Sequence, residues 1–400
     1  MYPSLLRTAI ALSSIVGLRM FGLFLVLPVL AVYGAELRHA TPALIGLALG
    51  AYGATQALMQ IPLGQLSDRI GRTPVIAGGL LVFLLGSVIA ALSESIWGVV
   101  IGRALQGSGA IAAAVLALAA DLSPEDRRQR VMASIGISVA LSFVLAVVMG
   151  PMIAGRFGLA GLFWVTAGLA AIALLALFTL VPAVPRRTTA ALPMPQARAL
   201  RTALQHPDLL RLNLTVGALN VALTCFFLII PARLINVHDL PLGAHWMVYL
   251  PVLLLTIPVL AIAIRGGERH GQQVVRAGIL APGVAVIVAL TTLLTATQTL
   301  WILLPALWLF FSGFNLLEAN LPAFTARYAS TAIRGAALGV YATWQFGGAF
   351  LGGLVGGLLL GWQGEIAVLL LAIGLLVAAM VAGLRLRPPR AGGDDGSTKP

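Results

Sequence analysis

Long apolar runs, each about a helix in length, alternate with short polar knots along nearly the whole chain. A helix needs about 20 apolar residues to cross the hydrocarbon of a bilayer. On that measure the pattern predicts twelve spanning helices, over 8–33, 42–65, 75–92, 96–119, 132–155, 160–182, 212–236, 244–264, 274–296, 299–324, 335–361 and 364–384. The first run is long enough to span, so it is expected to stay as a helix and not be cleaved as a signal peptide. The longest connection carries Pro185, Pro193, Pro195 and several arginines, which is linker composition. It sets the expected organisation: a six-helix bundle over 1–182, a linker over 183–211, a second six-helix bundle over 212–385, and a disordered tail over 386–400.

The sharpest polar knot is Gly64-Gln65-Leu66-Ser67-Asp68-Arg69-Ile70-Gly71-Arg72-Thr73. Backbone and charges of this kind find no partners in lipid, so the stretch reads as a hairpin at a membrane surface. Composition agrees: of 400 residues 60% are hydrophobic and 10% charged, with a mean hydropathy of +1.00, against about 25% charged in soluble domains. The net charge of +12 invites a nucleic-acid reading, but its placement excludes one. With the N-terminus in the cytoplasm, twenty Lys and Arg residues fall on the cytoplasmic side and three (Arg38, Arg156, Arg233) on the other. That bias follows the positive-inside rule, puts both termini inside, and supports an even number of spans in a bacterial-type inner (plasma) membrane.

Three charges remain within spans: Arg19, Arg103 and Glu318. An ionisable group in the hydrocarbon zone is costly and marks a candidate functional site. Low-dielectric surroundings favour the neutral form of a carboxyl group, which makes Glu318 a candidate proton carrier. Asn315, one turn earlier, shares its helical face, while permanent pairing with an arginine is the structural alternative. By depth, Arg19 is a better partner for Glu318 than Arg103, which lies about 10 Å from the outer end of its helix. For Arg103, bonding to neighbouring helix carbonyls is an equal alternative. Asn213, Asn220 and Thr224 share a face of the seventh span. The single cysteine, Cys225, reads as a packing residue and excludes an internal disulfide or a Cys-based metal site. No G-x-x-x-x-G-K-[ST] occurs and Lys399 is the only lysine, so a nucleotide is not expected. Neither a metal nor another cofactor is expected.

The hairpin also has a fainter echo. Glu268, Arg269 and Gly271 repeat Asp68, Arg69 and Gly71 at an offset of 200, between the second and third spans of each half. Parallel repeats are one construction plan of secondary transporters. Gly64, Leu66, Ser67, Asp68, Arg69, Gly71 and Arg72 match motif A of the major facilitator superfamily, which the chain resembles over about 8–385. Arg103, Gln106 and Gly107 resemble its motif B. Gly150, Pro151 and Gly155 resemble its antiporter motif C, with Ala146 and Ala154 in place of two glycines. Gly22 through Pro28 and Val29 resemble the drug-exporter pattern. Together these place the chain nearest the drug:proton antiporters, and the stretches Ser95–Gly98 and Phe314–Ala319 are most similar to the YajR-type branch. That branch's extra soluble C-terminal domain is not expected here, since the chain runs only about sixteen residues past its last helix.

The resemblance implies a fold of two six-helix bundles with pseudo-two-fold symmetry. It also implies that the first, fourth, seventh and tenth helices line a central cavity, and Arg19, Arg103, Glu318, Asn213, Asn220 and Thr224 all fall on them. In motif A, Asp68 is expected to meet the N-terminal end of the eleventh helix near Gly335, where the helix dipole favours an anion. Arg69 and Arg72 are expected to pair with Asp121, and Gly64 and Gly71 to permit close approach and a tight turn. The Gly150-Pro151 step is expected to kink the fifth helix.

The favoured expectation is a secondary transporter, not an enzyme, that exports small drug-like or metabolite molecules in exchange for protons. An uptake symporter or facilitator, with Arg19 or Arg103 binding an anionic group, is the alternative. A receptor or assembly factor on the same scaffold is the remote one. The expected partners are a small-molecule substrate, protons and the lipid bilayer, with the chain a monomer.

Overall fold

The computed structural model describes residues 5–182, 196–267 and 300–386. The ninth predicted span, the echo at Glu268–Gly271, the residues 183–195 and the tail from 387 lie outside the described residues.

The other eleven predicted spans are all helical. The first is α1 (Leu5–Leu25) and α2 (Leu27–Tyr33), interrupted at Val26 just ahead of Pro28. The second is α3 (Pro42–Ile70) and the third α4 (Arg72–Ala91). The fourth is broken into α5 (Ile96–Ser108) and α6 (Ala112–Leu122). One long element, α7 (Glu125–Leu180), holds the fifth and sixth. The seventh and eighth are α9 (Pro207–Asn236) and α10 (Trp246–Gly267). The tenth to twelfth are α11 (Leu300–Tyr328), α12 (Arg334–Gln363) and α13 (Glu365–Leu384). Helix starts carry their own signals. Thr41 caps α3, its hydroxyl accepting from the Leu44 amide at 3.2 Å, with Pro42 at the first helical position.

The linker carries a helix of its own, α8 (Gln196–Gln205). Its alanines Ala199 and Ala203 are buried with Ala329, Ile333, Ala337 and Val340, an apolar cluster that ties the linker to the start of α12. Pro151 lies inside α7 with helical backbone around it, and the one non-helical residue of the element, Gly158 (φ 67°, ψ −172°), turns the chain between the fifth and sixth spans. A φ in this region costs a side-chain-bearing residue energy and glycine little, so that turn falls at a glycine.

The two halves meet on backbone-to-backbone contacts. Along α3 and α12, Gly46, Gly50 and Gly53 lie against Gly353, Phe350 and Phe346. A Cβ on Gly46 would stand 2.1 Å from the Gly353 carbonyl oxygen, so no side chain fits there. Gly155 of α7 similarly abuts Gly243 beside α10. Small residues at such crossings let helix backbones approach and gain dispersion contacts that lipid does not supply. The seam is closed at the end away from Asp68 and looser toward it. A Cβ on Gly339 would meet Ile61 at 3.6 Å, and one on Gly335 would have nothing within 4 Å.

Between the halves runs a column of rings. Phe24 of α1 meets Phe143 of α7 edge-on at 5.1 Å, Phe143 stacks on Phe314 of α11 at 5.6 Å, and Phe310 stacks on Phe226 of α9 at 4.1 Å. Trp97, Trp301 and Trp362 are exposed at the end away from Asp68, as interfacial aromatics are.

Candidate functional site

In the N-terminal half the two arginines lie beside a single ring. Arg19 and Arg103 are each 1% exposed, and their guanidinium carbons stand 5.7 and 5.0 Å from the centre of Tyr52. Arg19 also covers Phe83 at 5.4 Å. Cation–π attraction acts within about 6 Å and strengthens where water is excluded. The remaining partners are neutral. Arg19 Nη2 donates to Gln56 Oε1 at 2.9 Å and to the carbonyl of Gly109 at 3.1 Å. Gln56 in turn donates to Gln60 at 3.0 Å. That Gly109 carbonyl is free because the fourth span breaks between α5 and α6, so Arg19 caps the C-terminal end of a half-helix, where a cation is stabilised.

Motif B closes the network. Arg103 donates to Gln106 Oε1 at 3.0 Å and to the Ala48 carbonyl at 3.4 Å, and Gln106 donates to Ser87 at 2.8 Å. Arg103 thus makes the carbonyl contact that the structural reading expected. Gly107 has a packing cause: its Cβ would lie 2.1 Å from the Tyr52 carbonyl oxygen.

In the C-terminal half Glu318 is half-buried in the middle of α11. Asn220 of α9 donates to its Oε1 at 3.2 Å, and Gln345 of α12 donates to both oxygens at 3.1 and 2.9 Å. The expected Arg19–Glu318 pair is not formed. Arg19 is turned into its own half, where ring faces cover it and an amide oxygen and a freed carbonyl take its Nη2, its Nε and Nη1 being buried without hydrogen-bond partners, and Glu318 takes amide donors from two neighbouring helices. Among the described residues no basic side chain pairs with Glu318.

Of the polar face on the seventh span, Asn220 reaches Glu318 and Thr224 bonds back to the Asn220 carbonyl at 2.9 Å. Asn213 is 1% exposed and its Oδ1 has no hydrogen-bond partner. Asn315 does not join Glu318, since its amide donates to Thr256 of α10 at 3.1 Å. Sequence reasoning missed Gln345, Gln56, Gln60 and Tyr52. The two glutamines four apart within an apolar helix were the available signal. Gln345 stands alone among glycines and gave none.

The hairpin folds on itself. Gly71 takes φ 105°, a conformation that needs glycine. Arg72 then reaches back to Asp68, donates to Ser67 at 2.8 Å, and meets Asp121 at 3.4 Å. The Arg72–Asp121 pair is as expected. Asp68 is held by Arg72 of its own half and not at Gly335, because the seam is loose at this end. Gly64 is not demanded by close approach, as its Cβ would meet Ala113 at an ordinary 3.4 Å. In the motif C stretch, a Cβ on Gly150 would stand 2.6 Å from the Leu25 carbonyl oxygen, at the break in the first span.

Apolar helices long enough to cross a bilayer, packed as backbone-touching halves around charges within the spans, make a polytopic membrane protein. The chain belongs to the Major Facilitator Superfamily, whose family model matches residues 12–353, and it has that family's twelve-helix fold. It is 41% identical over 395 residues to the inner membrane transport protein YajR of Escherichia coli (strain K12), covering 97% of this chain and 85% of that one. It is 33% identical over 192 residues to the multidrug resistance protein MdtL of Escherichia coli O127:H6, 46% of this chain and 48% of the other. A crystal structure of the nucleoside transporter NupG superposes with a TM-score of 0.74 over 95% of this chain and 99% of that one, at 16% identity. The chain is a multi-pass membrane transporter.

Proposed function

We propose that this transporter couples the export of small drug-like or metabolite molecules to proton entry, by alternating access. The observation that carries the reading is Glu318, a carboxylate within the tenth span held, among the described residues, by amides alone. A carboxylate locked to an arginine resists protonation, whereas one held by amides keeps the freedom to bind and release a proton. Similarity to a multidrug resistance protein supports the direction and the substrate class. No cofactor enters, and the proton gradient drives the cycle. Both termini lie in the cytoplasm, so the Asp68 end faces inward and the Arg72–Asp68–Asp121 knot serves as the cytoplasmic latch.

The test uses everted membrane vesicles holding an acid interior, with a ligand identified by thermal-shift screening of the purified protein. Addition of the ligand should dissipate the gradient with wild type and not with Glu318→Gln. Equal dissipation by both proteins would sink the reading. An uptake symporter for an anionic metabolite is the second reading. It is favoured by Arg19, whose Nε and Nη1 are buried without partners. Vesicles of the opposite orientation decide between them, because a symporter accumulates ligand there under an inward proton gradient.

A further inference from the structure

We propose that Gln345 is the positioning residue that conveys the charge state of Glu318 to the seam between α3 and α12. The inference rests on the reading of Glu318 as the proton-binding group and adds the part that responds. The bonding pattern is one-directional. Three amide N–H···O contacts reach the two Glu318 oxygens, two of them from Gln345 Nε2. An ionised carboxylate accepts all three. A carboxylic acid has an O–H to donate, and an amide NH2 facing both oxygens offers that hydrogen no acceptor. On protonation the acid finds an acceptor on Gln345 only when that amide turns its Oε1 toward it.

The setting of Gln345 converts that turn into movement. Trp344, on one side, packs its ring edge against Gly217 of α9, where a Cβ would find it at 3.3 Å. Phe346, on the other, presents its carbonyl oxygen 2.4 Å from where a Cβ on Gly53 would stand, and its ring meets Tyr52 edge-on at 6.2 Å. Tyr52 is the ring that Arg19 and Arg103 flank. Gly348 abuts the Gly217 carbonyl just as closely. With backbone against backbone on both sides, α12 has no soft side chain to absorb a displacement at residue 345, and packed interfaces of this kind change between discrete arrangements.

The groups around the carboxylate are few. Asn220 faces it from α9, Gln345 and the phenol of Tyr341 from α12, and its own α11 neighbour Asn315 is engaged with Thr256. Tyr341 is the other titratable member, and its hydroxyl has no partner.

The experiment places spin labels at Ile70→Cys and Thr331→Cys, both exposed at the Asp68 end. Their distance distribution is followed from about pH 8 to pH 5 in lipid nanodiscs, a range chosen to span titration of a carboxyl held by neutral partners. Protons alone are the probe. Wild type should switch between two distances, and Glu318→Gln should not switch. Gln345→Leu should reduce the switching amplitude at least about fivefold, while the infrared carboxyl band assigned by Glu318→Gln still titrates. Gln345→Glu keeps the size and reach, and two carboxyls sharing one proton should move the midpoint up by about one pH unit or more. Full-amplitude switching in Gln345→Leu, or, where that variant fails to fold, an unmoved midpoint in Gln345→Glu, overturns the inference and leaves the reading of Glu318 intact. Switching that persists in Glu318→Gln overturns the reading itself, and the inference with it.

Discussion

The two halves of this transporter bury opposite charges and satisfy them in opposite ways. The N-terminal half encloses two arginines completely and gives them ring faces, glutamine oxygens and backbone carbonyls. The C-terminal half holds one carboxylate within its predicted spans, Glu318, leaves it half-buried and, among the described residues, gives it nothing but amide N–H groups. Among the described residues, Glu318 pairs with neither Arg19 nor Arg103. A guanidinium keeps its proton, so Arg19 and Arg103, buried among four neutral acceptors and two rings, fit the part of fixed scaffolding in the proposed reading. A carboxyl group can exchange a proton, and amides bond it without locking its charge. In the proposed transport cycle the arginine half is structure and the carboxylate half carries the chemistry.

Glu318→Gln is the hardest blow to this comparison and the largest expected effect: ligand-driven proton movement in vesicles should fall to background while the protein still folds. Retained coupling would mean that the chemistry lies in the arginine half after all. Next comes the latch. Asp68→Asn should slow transport by about tenfold, a barrier change of about 1.4 kcal/mol, and Glu268→Gln in the echo by much less. Comparable slowing in both would show that the halves share the latch equally. Smaller again is a stability effect. Arg19→Leu leaves Gln56 and the Gly109 carbonyl without their donor, at about 1–3 kcal/mol for each buried orphan. Thermal unfolding in detergent should report a lowered Tm with proton-driven switching preserved. Loss of switching at an unchanged Tm would instead put Arg19 in the coupling chemistry.

The seam offers a further test. Gly353→Ala places a methyl 2.4 Å from the Gly46 carbonyl oxygen, so crosslinking between cysteines at the ends of α3 and α12 away from Asp68 should fall. The smallest effect is at the hairpin. Gly64→Ala should leave the Tm unchanged or raise it slightly, since alanine favours helix over glycine by about 1 kcal/mol. Gly71→Ala, at φ 105°, should lower it. Equal responses from the two glycines would contradict the hairpin geometry.

The sequence alone determined the number and order of the spans and the positions of the three charges within them, and its likeness to motif A supplied the Arg72–Asp121 pair. The spans and charges rest on local rules: apolar length and the cost of burying charge. What it could not supply was the partner of each buried charge. Depth along a helix pointed to an Arg19–Glu318 pair, but a partner is chosen by rotation about the helix axis as well as by depth. That rotation is set by packing, above all by glycines that bring α12 onto α3 and by the break that frees the Gly109 carbonyl. Gln345 carried no signal for the same reason. It has no polar residue three or four positions away on its glycine-rich helix except Tyr341, and only the tertiary structure turned it toward Glu318.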